Sequence, residues 1–212
     1  MELRRFRRRP LGLDFLAPEP VADSADPSTH DAGRFEDAVG GGISQVATTL
    51  FNAAFFSGIK LVAHQAHQFY ISRYPMGREA TVSWGGPELV FSNDWPAAIL
   101  MNVVATDSAI TVRFYSRKLG RRVETTTGEP YALTPPETIR TLNSALPPGT
   151  TSTVQSAGES GFTVQYTRKV FRGSKLRRDE HYTVRYDPQN AIVEVGPAPR
   201  RTAPNPKPKK PS

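Results

Sequence analysis

From residue 43 onward, apolar residues recur at helical spacing: Ile43, Val46, Ala47, Leu50 and Ala54 share one stripe, the mark of an amphipathic helix. Phe51, Phe55 and Phe56 widen the stripe until most of the girth is apolar. A helix of that kind is buried inside a domain. Gly58 is its expected stop. After Gly58 the period changes. Lys60–Ala63, Phe69–Arg73, Ala80–Trp84, Leu89–Ser92, Ala98–Ala105, Ala109–Ser116 and Arg121–Thr127 are short, rich in β-branched or aromatic residues, and bounded by turn residues. They read as strands, with Thr106-Asp107-Ser108 as a hairpin connection.

Prolines punctuate residues 128–150, which read as a linker. Beyond it Phe162, Val164, Tyr166 and Val170 alternate with Thr163, Gln165, Thr167 and Lys169. After a turn at Arg172-Gly173-Ser174-Lys175, Tyr182, Val184 and Tyr186 alternate with His181, Thr183 and Arg185. This is a two-stranded ribbon with one apolar face, and Ala191–Val195 is a candidate third strand. The predicted class is α+β: one buried helix packed on a mostly antiparallel β-sheet, followed by a small β-ribbon module. The expected division is an irregular segment over 1–33, a helix-and-strand domain over 34–127, the linker, a β module over 151–196, and a disordered basic tail over 197–212.

Charge sharpens that division. The formal net charge of the 212 residues is +7, but residues 1–9 carry +4 and residues 197–212 carry +5, which leaves about −2 for the body. The basic character therefore belongs to the ends. A nucleic-acid-binding domain would carry it on the fold, so no nucleic-acid partner is expected. Cysteine is absent, which excludes disulfides and thiolate metal sites. No run reaches the 18 or so apolar residues of a membrane span. Arg4-Arg5-Phe6-Arg7-Arg8-Arg9 is followed only by Pro10–Leu16 with Asp14 inside it, too short and too polar for a signal-peptide core.

Gly40-Gly41-Gly42 end abruptly at the helix start and place Ser44 in its first turn. Unpaired N–H groups and the positive end of the helix dipole meet there, favouring a nucleophile or an anion. The tract Gly40-Gly41-Gly42-Ile43-Ser44-Gln45 with its Thr-rich helix resembles the VanW family signature, in which Ser44 stands where relatives carry a cysteine. A second block, His67 to Val82, resembles the family's His, strand and Pro-x-Gly-x-Asp-Ala-Thr-Val pattern, with Glu79 in the place of Asp. Pro87 to Asn93 resembles a third block ending in Phe-x-Asn. The front half usual in that family is not found in residues 1–33, so the resemblance implies a partial domain over about 34–116. That would also account for the missing export signal. Residues 138–196 loosely resemble the G5 module of envelope proteins.

The resemblance implies a cell-envelope or extracellular setting, with peptidoglycan or another envelope polymer as partner. Family members acting as L,D-transpeptidases use the cysteine as nucleophile. With Ser44 the easy anion is lost, and a hydroxyl needs an aligned base plus an orienting group. His67 is the candidate base, its alternative being a hydrogen-bonded strand-edge histidine. Ser44 otherwise reads as an N-cap. Gly41, Gly42, Gln45, Thr48, Arg78 and Trp84 are candidate binding residues, although core packing is the leading reading of Trp84 and Trp95. Thr48, Thr49 and Asn52 occupy the less apolar side of the helix. His64 and His67 lack further ligands for a metal, and no cofactor is expected. His30 and His181 invite no role. The expected function is a non-catalytic envelope binder; the alternatives are a serine-dependent acyl transferase or hydrolase on stem peptides, and an inactive gene fragment.

Overall fold

The computed structural model describes residues 42–199. The expected irregular segment, Arg34–Val39, His30, Gly41 and residues 200–212 of the basic tail lie outside them. The predicted helix is α1, Ile43–Ser57. Its buried face includes Ala47, Phe51, Ala54 and Phe55, while Ile43 and Val46, expected in the stripe, are exposed in the first turn. Gly58 ends it in the left-handed region at φ 73°, its N–H donating to Phe55 O at 3.3 Å. Glycine is needed here twice over. The conformation strains any L side chain, and a Cβ would meet Val170 at 3.2 Å and Val123 at 3.3 Å.

Eleven strands follow among the described residues. They are β1 (Lys60–Ala63), β2 (Val90–Ser92), β3 (Leu100–Ala105), β4 (Ile110–Tyr115), β5 (Arg121–Thr127), β6 (Tyr131–Thr134), β7 (Thr138–Leu142), β8 (Thr151–Gln155), β9 (Gly161–Arg172), β10 (Lys175–Tyr186) and β11 (Ala191–Val195). β1 pairs with β2 and β3 with β4, both antiparallel. The central sheet runs β10-β9-β5, with β6 also on β9. A third group is β7-β11-β8, in which β7 and β11 are parallel. The class is α+β, with one helix among the described residues packed on mostly antiparallel sheet.

Two expected strands are not strands. Phe69–Arg73 and Ala80–Trp84 run as turns and irregular backbone. Their buried residues, Phe69, Ala80 and Thr81, gave them a strand-like composition. Their backbone groups find partners other than a ladder: Thr81 N–H donates to Gln65 O at 2.8 Å, and the Ala80 amide donates to the Thr48 hydroxyl at 3.1 Å. Residues 128–150, expected as linker, hold β6 and β7. Pro130, Pro135 and Pro136 fall just outside these strands, where a missing N–H costs no ladder bond. β8 was not foreseen. β5 pairs along its whole length with β9, from Arg121↔Arg172 to Thr127↔Tyr166. The helix-and-strand region and the ribbon therefore share a sheet.

The buried face of β9 is Phe162, Val164, Tyr166, Arg168 and Val170. Arg168 is fully buried, at 0% exposure. Its Nε donates to Phe55 O at 2.9 Å, its Nη2 to Ile59 O at 2.8 Å and its Nη1 to Glu180 Oε2 at 2.7 Å. Arg121 donates to Ser57 O at 3.2 Å; Arg178 and Trp95 Nε1 donate to Gly58 O at 3.1 and 2.8 Å. The last carbonyls of a helix lack intrahelical partners and carry the negative end of its dipole. Here three strand arginines and the loop residue Trp95 donate to carbonyls of the last turn and of Gly58 and Ile59 just beyond it. Arg168→Met should lower unfolding stability by about 3 kcal/mol, because Glu180 and two carbonyls each lose a charged donor. Urea denaturation checks this, and a change below about 1 kcal/mol would count against the clamp.

Candidate functional site

Helix α1 organises the site through its polar side. Thr48 Oγ1 donates to Ala80 O at 3.2 Å and accepts from the Ala80 amide. Asn52 Nδ2 donates to Arg78 O at 2.8 Å and to Thr48 O at 2.9 Å. Residues 78–80 are thereby fixed to the helix, and Glu79 between them is fully buried. The Arg78 guanidinium lies over the Phe55 and Phe56 rings at 5.8 and 5.2 Å, and burial draws its pKa below the usual value.

Glu79 is the centre of a buried polar chain. His67 Nδ1–H donates to Glu79 Oε2 at 2.6 Å, and the Tyr186 hydroxyl donates to Glu79 Oε1. The Gly77 amide donates to the Tyr186 hydroxyl at 2.9 Å. His67 is 4% exposed and stacks on Tyr74 with ring centres 5.4 Å apart. In the tautomer with the hydrogen on Nδ1, Nε2 is an acceptor. Nε2 is buried and has no hydrogen-bond partner among the described residues.

His67 lines a cavity of about 670 Å³ together with His64, Thr81, Tyr166, Tyr182 and Arg185. Its walls come from the loop after β1 and from strands β9 and β10. Within it His64 stacks on Phe51 at 4.4 Å and bonds to the Tyr166 hydroxyl at 3.2 Å. Tyr166 and Tyr182 stack at 4.7 Å. Burial pushes the Tyr166 phenol well up, and burial with the charge of Glu180 pushes Tyr182 up to about 12. Both phenols therefore stay protonated.

The expected site residues separate. Thr48, Arg78 and His67 gather round Glu79. Ser44 lies one helical turn before Thr48, and no hydrogen bond joins it to His67 Nε2. Nor is Ser44 the N-cap: that position is Gly42, at φ 95°, without a side-chain cap bond. The helix begins two residues earlier than a serine cap at this position requires. Gln45 is partly exposed at the same end. Trp95 is buried and part of the core, but Trp84, expected to be half-buried, is fully exposed on a tight turn closed by Ser83 N–H to Pro87 O at 3.2 Å. Pro87 borders the cavity. Among the described residues no cluster of His, Asp or Glu could hold a metal ion, and no helix is long and apolar enough to cross a membrane.

Sequence reading missed Tyr186, Arg168 and the use of Glu79. Arg168 had a visible signal, an arginine in phase with the apolar face of its strand. Tyr186 was seen only as an apolar member of that face.

The pKa of His64 is lowered, first by burial and then by the charge of Arg168, with Glu180 opposing. The unfolded chain therefore binds this proton more readily. The associated stability is present above the ordinary value of 6.5 and is lost as pH falls below it. The urea midpoint should drop on going from neutral to mildly acidic pH, and less so in His64→Gln. An identical drop in both proteins would contradict this.

Comparison with known proteins bears on the same segment. Residues 26–115 match the family described as VanW like protein. The protein YoaR of Bacillus subtilis (strain 168) is 39% identical over 84 residues, which are 40% of this chain and 28% of YoaR. The chain thus spans just over a quarter of that relative's length. Two solved structures are similar over smaller parts. The IgA1 protease G5 domain is 22% identical, covers 37% of this chain and 89% of its own, and has a TM-score of 0.23. The G5 domain HP0197-G5 is 17% identical, covers 36% and 95%, and has a TM-score of 0.20. The buried helix, His67 and Glu79 all fall inside the matched stretch, so the part of this chain that is similar to the VanW like family is the part that holds the His67–Glu79 pair.

Proposed function

We propose that this chain is an envelope-associated protein that binds peptidoglycan, or another envelope polymer, in the cavity beside His67 and does not cleave it. The observation that carries this reading is the state of His67. Glu79 orients the ring as it would a general base, His67 lines the cavity, and its buried Nε2 is left without a hydrogen-bond partner among the described residues. A serine without an aligned base is a poor nucleophile. The same acceptor is well suited to an amide or hydroxyl donor of a bound glycopeptide. Trp84, exposed on the turn that ends at the cavity rim, adds a face on which a sugar can stack. The VanW-like similarity supplies the envelope setting.

Retention of the purified chain on intact peptidoglycan tests the proposal at physiological salt, where attraction from the basic termini is screened. Retention is expected, with about a tenfold loss in His67→Ala and in Trp84→Ala, in line with one hydrogen bond or one stacking face. No retention, or retention unaffected by both changes, overturns it.

One observation favours a second reading, acyl transfer through Ser44: the His67–Glu79 pair supplies a base together with its orienting group, and Ser44 shares a helix face with Thr48 beside it. Incubation with tetrapeptide muropeptides distinguishes the two. The binder reading expects no cross-linked dimers. Dimers that vanish in Ser44→Ala replace it with the catalytic one.

A further inference from the structure

The carboxylate that orients His67 is itself held from the opposite side by a residue distant in sequence. Glu79 is fully buried, and each of its oxygens receives one donor: Oε2 the His67 Nδ1–H, Oε1 the Tyr186 hydroxyl. The Tyr186 hydroxyl is oriented in turn by the Gly77 amide, which donates to it at 2.9 Å. The ring of Tyr186 is fixed by Phe162 and Tyr70, with centres 4.9 and 5.4 Å away. Gly77 approaches the ribbon so closely that a Cβ would lie 2.9 Å from the Tyr166 ring. Tyr186 belongs to β10, outside the stretch 26–115 that matches the VanW-like family.

We propose that Tyr186 is a positioning residue for the His67–Glu79 pair, so that the His67 site is completed by the C-terminal ribbon and is not a property of the VanW-like stretch alone. This rests on the reading of His67 Nε2 as a ligand-facing group. The physical reason is that a buried carboxylate needs its remaining lone pairs satisfied. With Tyr186 present it has one orientation. Without the hydroxyl, Oε1 is unpaired, the carboxylate turns to seek another donor, and the His67 ring beside the cavity is no longer held in one orientation. Burial and the negative charge of Glu79 push the Tyr186 phenol strongly upward, so it remains a donor throughout the ordinary pH range.

Nuclear magnetic resonance of the full 212-residue chain, with isotope-labelled histidine and no ligand, tests this. The His67 Nδ1–H is expected as a downfield, slowly exchanging resonance. Tyr186→Phe keeps the ring and removes the hydroxyl; it should move that resonance or broaden it through exchange. Tyr70→Phe touches the same aromatic cluster without reaching Glu79 and should leave it in place. An unchanged resonance in Tyr186→Phe, or an equal change in Tyr70→Phe, overturns the proposal. A measurement on the unaltered chain does not depend on any variant folding. The Tyr186 hydroxyl proton should appear with a through-space cross-peak to the Gly77 amide, and its absence also overturns the proposal. Because no ligand is used, loss of peptidoglycan binding with these signals intact would sink the cavity reading alone.

Discussion

A single buried guanidinium connects the two halves of the fold. Arg168 lies on the apolar face of β9 and spends its donors on Phe55 O, Ile59 O and Glu180. It also lies over the Phe55 ring, 5.0 Å from its centre. A charge taken out of water is costly unless fully paired, and here the pairing exists only when the helix end is seated on the ribbon. The arrangement is therefore conditional: neither part can satisfy Arg168 alone. Val170 and Tyr166, its neighbours on the same strand face, enter the two clusters that contain Ala54 and Phe55, so apolar burial and polar pairing require the same docking.

The site inherits its geometry from that seat. Once α1 is placed, Thr48 and Asn52 hold residues 78–80, Glu79 follows, and Glu79 sets His67. From the other side β10 brings Tyr186 to the same carboxylate, and β9 brings Tyr166 to His64. A cavity walled by both parts results. Its chemistry is that of an oriented imidazole acceptor among tyrosines and histidine. Among the described residues no hydroxyl is hydrogen-bonded to His67 Nε2, and the proposed binding role rests on that observation.

Local pattern made much of the fold legible. The helix, its glycine stop, β1, β5 and the β9–β10 ribbon follow from periodicity and turn residues, because each is defined by neighbours in sequence. The misread segments are those governed by distant partners. Phe69–Arg73 and Ala80–Trp84 contain buried residues in a strand-like mixture, but their backbone bonds go to a helix side chain and to loops. The prolines around β6 and β7 suggested a linker because edge strands tolerate proline at their ends. His67 was legible as a candidate base through its motif, and Glu79 was visible only as a substitution within it. Tyr186 could not be found, since its role depends on a contact across 107 residues.

Native-state hydrogen exchange on the whole chain tests most directly whether the helix and the ribbon are one cooperative unit. Amides of α1 and of β9 should open with the same free energy, and a mild denaturant should lower both with the same slope. Separate opening, with α1 exposed while β9 and β10 keep full protection, would contradict the account.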